Sequence, residues 1–194
     1  MNYIPNLFLC ECKSIEKFTI PNNVTSIGDF AFSGCSSLTS IVIPDSVTRI
    51  GDNAFFDCLS LTGLEIGNSV TSIGDNAFRG CSKLTSIVIP DSVTSIGDGA
   101  FFACISLTSI IIPNSVTNIS SRVFLSCDLL TSVTISNSVT SIGEYAFYNC
   151  SSLTNINYLG TKEEALTKLK VKNEEWRMGS SISKIICTDG VIEL

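Results

Sequence analysis

Leu84-Thr-Ser-Ile-Val-Ile-Pro-Asp-Ser-Val-Thr-Ser-Ile-Gly-Asp-Gly-Ala-Phe-Phe-Ala-Cys-Ile-Ser106 is one of six near-copies, opened by Leu38, Leu61, Leu84, Leu107, Leu130 and Leu153 at a constant spacing of 23 residues. A unit this short cannot bury its own apolar face, whereas stacked copies share one interior, so the period predicts a solenoid. Each unit is numbered here from its leucine. Column 4 then holds Phe18, Ile41, Leu64, Ile87, Ile110, Val133 and Ile156, and column 6 holds Ile20, Ile43, Ile66, Ile89, Ile112, Ile135 and Tyr158. A spacing of two is strand spacing, with these columns inward and column 5 outward. Pro or Gly at column 7 and Asn or Asp at column 8 follow as turn residues. A second extended stretch then points Val47, Ile50 and their equivalents inward.

The second half of the unit reads as tighter structure. Gly51, Gly74, Gly97 and Gly143 are expected to permit a turn that a β-carbon would forbid. Asp-Xaa-Ala-Phe, as in Asp52-Asn53-Ala54-Phe55, reads as the N-cap and first turn of a short helix or 3₁₀ segment. Ala at column 17 allows close approach, and Phe32, Phe55, Phe78, Phe101, Phe124 and Phe147 at column 18 form a ladder that fills the interior. Cys12, Cys35, Cys58, Cys81, Cys104, Cys127 and Cys150 share column 21, one per unit. Seven thiols in one line cannot all pair, so buried free thiols bonded weakly to the loop are expected. Aspartates recurring as Asp29, Asp52, Asp75 and Asp98 suggest helix capping, with a column of calcium ligands as the alternative.

At the N-terminus, Phe8 to Ser14 fill columns 17–23 of an incomplete first unit, which fits a fragment of a longer array or a cap. After Gly160 the pattern stops. Thr161 to Lys170 reads as an amphipathic helix with Thr161 as N-cap and Glu164 three residues on. Ile182 to Leu194 reads as two strands about an Asp189-Gly190 turn, and Trp176 is expected to pack on the final rung. The expected organisation is a solenoid over 1–159 and a C-terminal capping segment over 160–194, the latter shielding the stack from end-to-end association.

Composition narrows the chemistry. Formal net charge is −6, and all of that excess lies in residues 1–160, with six Lys/Arg against twelve Asp/Glu. An acidic array without a basic cluster argues against nucleic acid or an anionic membrane as partner. No apolar run approaches a membrane span of about 20 residues, so direct membrane insertion is not expected, and residues 1–10 lack a basic, secretion-type start. The chain has no histidine, which removes the commonest general base, the base of Ser-His and Cys-His pairs, and mixed zinc sites. No catalytic residue, metal site or cofactor is therefore assigned, and the chain is read as not an enzyme. Asn23-Val-Thr25, Asn118-Ile-Ser120 and Asn149-Cys-Ser151 match the glycosylation pattern, as chance matches do in an Asn/Ser/Thr-rich chain.

The pattern Leu-Xaa-Xaa-Ile-Xaa-Ile-Pro-Xaa-Ser-Val-Thr-Ser-Ile-Gly-Xaa-Xaa-Ala-Phe-Xaa-Xaa-Cys resembles the Treponema-type leucine-rich repeat of BspA-like proteins over roughly residues 7–159. The resemblance implies a leucine-rich-repeat solenoid of α/β type: mostly short strands with short helical or 3₁₀ turns, six repeats and a half, and a helix and β-hairpin cap. It also implies a curved stack and a secreted or cell-surface location, with adhesion to host, matrix or cell-surface proteins.

The outward residues of the first strand are the candidate site. Column 5 carries Val42, Glu65, Val88, Ile111 and Thr134, and column 3 carries Ser40, Ser86 and Ser109. Val42, Val88 and Ile111 are apolar where solvent should be: either β-branched residues favouring strands, or a docking stripe with a polar rim. The reading adopted is a non-enzymatic module, expected as a monomer, that binds another protein through the concave strand face. A structural spacer of a larger surface protein, or an ice-binding Ser/Thr ladder, are the alternatives. Phe56, Phe102, Leu125 and Tyr148 at column 19 form a second exposed set, or tuck between rungs.

Overall fold

The computed structural model describes residues 2–169 and 174–194. It is a β-solenoid of about seven turns at the 23-residue spacing, with little helix. Three faces make each rung. The first strand runs Ser40–Ile43, Gly63–Ile66, Ser109–Ile112, Ser132–Ile135 and Asn155–Tyr158; the second, two residues long, runs from Ser26–Ile27 to Ser141–Ile142. All strand pairs within the repeats are parallel and offset by one unit, as in Ile41↔Leu64 and Ile50↔Ile73. Inward and outward residues alternate as the columns require, for example buried Ile41 and Ile43 about exposed Val42.

The third face departs from expectation. The Asp-Xaa-Ala-Phe segments are neither helical nor 3₁₀ but a run of turns. Columns 16 and 20 are left-handed in successive rungs: Asn53 (φ 55°) and Asp57 (φ 53°), then Asn76 (φ 51°) and Gly80 (φ 74°). Left-handed residues break a helical bonding pattern, and here they turn alternate donors towards the neighbouring rung. Phe56 N–H stays within its rung on Asn53 O (3.1 Å), while Asn53, Phe55 and Asp57 N–H reach Asp75, Ala77 and Arg79 carbonyls (2.8, 2.7 and 2.8 Å). A helix would keep all those donors to itself; the turns give the stack a third bonded face.

The aspartates serve that face. Each Oδ1 accepts the backbone N–H of the next aspartate: Asp52 N to Asp29 (2.9 Å), Asp75 N to Asp52 (3.0 Å) and Asp98 N to Asp75 (2.8 Å). They therefore cap the neighbour's backbone and not their own helix. The column-14 glycines likewise do not have positive φ. A Cβ on Gly74 would lie 2.6 Å from Gly51 C and 2.7 Å from Asp52 N, so glycine is there for close approach between rungs. Where Ser120 replaces it, the hydroxyl and not the backbone reaches Ile96 O (2.6 Å), and the second-strand ladder breaks between Ser95–Ile96 and Asn118–Ile119.

The first-strand ladder is also interrupted, and proline decides where. Ladders form before Gly67, Ser136 and Leu159, where column 7 has an N–H; Leu159 N donates to Ile135 O at 2.9 Å. Where the following rung carries Pro44 or Pro113, only the single bridges Lys17↔Ser40 and Ser86↔Ser109 remain, and before Pro90 no strand pairing joins Gly63–Ile66 to residues 86–89. Proline has no N–H to close the end of the ladder.

Beneath these faces lies one interior. The Phe rings stack 5.1–5.7 Å apart within 10° of parallel from Phe32 to Phe147. Phe8 meets Phe32 edge-on at 6.2 Å at one end, and Trp176 meets Phe147 edge-on at 6.1 Å at the other. Trp176 thus packs on the final rung, as expected. Each buried thiol of column 21 donates to a carbonyl of the rung before, as Cys81 Sγ does to Phe55 O (3.3 Å).

Beyond Gly160 the chain keeps extending the stack. Thr161 caps α1 (Lys162–Lys168) with the expected Thr161/Glu164 capping box; Lys170, the last residue of the expected helix, lies outside the described residues. A 3₁₀ segment, Glu175–Arg177, takes the place of a turn layer: Tyr145 N and Phe147 N donate to Glu175 O and Trp176 O (3.1 and 2.8 Å). Lys184–Cys187 pairs parallel with Asn155–Tyr158, and Gly190–Glu193 then turns back antiparallel. The hairpin turn is Thr188-Asp189, one residue earlier than read, because Gly190 (φ 139°) already belongs to the second strand. Asp189 Oδ1 accepts the N–H of Lys162 (2.8 Å), tying the turn to α1.

Candidate functional site

On the first-strand face, Val42, Val88 and Ile111 are 55%, 80% and 66% exposed. Glu65, Ser86 and Ser109 are exposed beside them, while Ser40 and Thr134 are half-buried. Register sets the neighbours: Val42 lies beside Glu65, and Ile111 beside Thr134. The interruption before Pro90 divides the eight predicted residues. Ser40, Val42 and Glu65 fall on one side; Ser86, Val88, Ser109, Ile111 and Thr134 fall on the other. A groove of about 560 Å³ runs past Val42, Asp45, Glu65 and Asn68, and another of about 410 Å³ past Ser86, Val88, Asp91, Ser109 and Ile111.

Sequence reasoning missed the far end of this face. Thr134 sits beside Asn157, Asn157 beside Ile186, and Ile186 beside Val191. Ile186 and Val191 are 40% and 48% exposed and continue the outward column onto the hairpin. Their alternation marked a strand, but nothing in the repeat pattern says that Ile186 aligns with Asn157.

The other faces offer less. Phe56, Phe102 and Leu125 tuck half-buried between rungs, and Tyr148 is the one exposed member of that predicted set. Arg79 lies between Phe56 and Phe102, its guanidinium carbon 5.4 and 4.3 Å from the ring centres, a cation–π contact. Threonine hydroxyls on the second strand donate to the carbonyl of the rung before, as Thr71 Oγ1 does to Thr48 O (3.1 Å), so those protons are already engaged.

The buried thiols of column 21 are chemically quiet. Burial pushes Cys104 and Cys150 up to about 12 and Cys35 up to about 11, and drives Cys58, Cys81 and Cys127 well up. A thiol, not a thiolate, is a poor nucleophile and metal ligand. Among the described residues, no three Cys, Asp or Glu side chains are grouped to hold a metal ion, and no helix is long and apolar enough to cross a membrane.

A family model for the BspA type leucine rich repeat region matches in six copies, over residues 2–129 and 72–185. The chain belongs to the BspA-type leucine-rich-repeat family. A T. pallidum leucine rich repeat protein of known crystal structure is similar to this BspA-type chain at 28% identity and a TM-score of 0.70, over 84% of this chain and 83% of the other. A leucine rich cell surface protein from Faecalibacterium prausnitzii A2-165 is 34% identical with a TM-score of 0.54, over 78% of this chain but 34% of its own. The pneumococcal vaccine antigen PcpA, 18% identical with a TM-score of 0.66 over 87% of this chain and 41% of its own, shares the fold. No curated protein matches the chain. Membership in the BspA-type family supports a protein-interaction or structural role.

Proposed function

We propose that this chain is a non-enzymatic docking module whose first-strand face binds another protein, and that it works at a cell surface or outside the cell as part of an adhesin-like protein. The observation that carries this is Val88, 80% exposed on a face whose neighbours Val42 and Ile111 are also open. A β-branched residue kept only for strand stability would sit in a ladder. Residues 87–89 pair with neither neighbouring rung, so strand stability does not explain Val88. The polar rim of Ser86, Ser109 and Thr134 about an apolar centre fits the usual anatomy of a docking patch. A relative that is a leucine rich cell surface protein supports the surface location.

The test is capture from an extracellular-matrix extract. Val88→Lys with Ile111→Lys should abolish the captured species while leaving the melting temperature unchanged, and Thr71→Lys on the second-strand face should leave capture intact. Equal yields from all three proteins would instead favour a spacer.

A further inference from the structure

The outward face that carries the apolar residues also carries charge of one sign. Across columns 3–9 of the four rungs from Ser40 to Ser115 stand three carboxylates, Asp45, Glu65 and Asp91, and no lysine or arginine. All three are exposed, and among the described residues none joins an ion pair. Some acids elsewhere do find cations: Asp29 and Asp52 share Arg49, Glu164 meets Lys168, and Glu193 meets Lys184. The three unpaired acids also lie against the apolar residues. Asp45 and Glu65 line the groove that holds Val42, and Asp91 lines the one that holds Val88 and Ile111. Asp45 keeps one oxygen on the N–H of Asn68 (2.6 Å), which fixes its position at the groove wall.

Covering Val42, Val88 and Ile111 removes water from these carboxylates as well. An acidic partner would add like-charge repulsion across the interface. A neutral partner would leave desolvated charge without compensation. A basic partner supplies both the missing ion pairs and a faster encounter.

Resting on the docking reading above, we propose that the first-strand face takes an extended protein segment that presents aliphatic side chains and lysine or arginine on the same face, at every second residue. The aliphatic side chains pack on Val42, Val88 and Ile111, and the cations reach Asp45, Glu65 and Asp91.

The experiment uses the full chain and short labelled peptides with serine at every second position and Leu-Lys, Leu-Glu, Leu-Ser or Ser-Lys alternating at the others, so that both kinds of side chain share one face, read by fluorescence anisotropy. Leu-Lys should bind at least about tenfold more tightly than Leu-Ser or Ser-Lys, and Leu-Glu least, a tenfold step being about 1.4 kcal/mol. Combined Asp45→Asn, Glu65→Gln and Asp91→Asn should bring Leu-Lys down to the Leu-Ser affinity and flatten its salt dependence, with the melting temperature unchanged. Asn at 45 keeps the acceptor for Asn68. If Leu-Ser binds as well as Leu-Lys and both are lost on Val88→Ser with Ile111→Ser, docking stands and the basic-partner inference falls. If no leucine-containing peptide binds better than Ser-Lys, both fall. If neutralising the three acids leaves Leu-Lys binding intact, the inference is overturned.

Discussion

On the turn layer, backbone donors of rung after rung reach the next rung's carbonyls, from Leu7 N on Asp29 O (3.0 Å) to Ser126 N on Tyr148 O (2.8 Å). On the first-strand face, built from the same repeat, the ladder opens between Gly63–Ile66 and residues 86–89 and thins to one bridge at Ser86. The turn layer holds Phe, Ala and Cys in nearly every rung, and Asp in four (Asp29, Asp52, Asp75 and Asp98), with every backbone donor it needs. The strand face mixes rungs that have a column-7 N–H (Gly67, Ser136 and Leu159) with rungs that have proline (Pro21, Pro44, Pro90 and Pro113). One face therefore carries the cohesion of the stack. The other tolerates variation at its outward columns, and there the exposed apolar residues of column 5 collect with Glu65 and the column-8 acids Asp45 and Asp91. Cohesion lies on the turn layer, and the proposed docking surface lies on a different face of the same unit.

Three measurements test that contrast, and alkaline pH should act most strongly. Thiols raised by burial bind protons more tightly folded than unfolded, so their contribution is intact below the ordinary thiol value of 9.0 and lost as pH climbs towards 11 to 12. Each buried thiol then withdraws ~1.4 kcal/mol per pH unit, and several together exceed a typical stability of about 5–15 kcal/mol. Circular dichroism should record unfolding before pH 11, and Cys81→Ala with Cys104→Ala should move that midpoint upward. A midpoint that ignores those substitutions would detach the thiol column from the cohesion of the turn layer.

Next in size is Phe78→Ala. Its ring stacks on Phe55 at 5.3 Å and on Phe101 at 5.5 Å, so removal opens a cavity between two rungs, at a cost of about 3–5 kcal/mol. Urea unfolding measures it; an unchanged midpoint would mean that the stacked rings are not what holds the stack. The smallest effect, and the most specific, belongs to Pro90→Ser. Restoring an N–H at column 7 should close the gap to the Leu61 rung and slow amide exchange in residues 86–89 by about tenfold, the equivalent of one net hydrogen bond. Exchange that stays as fast as in the parent would show that something other than the missing donor opens the ladder.

Much of this was legible beforehand. The columns of Phe, Ala and Cys announced a common interior, because a residue type repeated at one position must meet the same surroundings in every rung. Trp176, the Thr161/Glu164 cap and the outward placement of Val42, Val88 and Ile111 followed from similar local rules. The aspartate column was recognised as structural, yet its partner was misassigned. Asp followed by Xaa-Ala-Phe satisfies a helix N-cap and a rung-to-rung ladder equally well, and only the position of the next rung chooses between them. Proline at column 7 was read as a turn former, which it is; that it also silences a ladder could be seen only once the strand beside it was known.

The sequence alone determined the period, the inward and outward columns and hence the solenoid, since identical units can bury their apolar faces only on one another. Tertiary structure alone decided which backbone groups bond across 23 residues, where the ladders stop, and that Ile186 and Val191 complete the outward column. Those pairings are long-range: each depends on how closely two rungs approach, a distance set jointly by glycine, proline and serine in both, and no single rung encodes it.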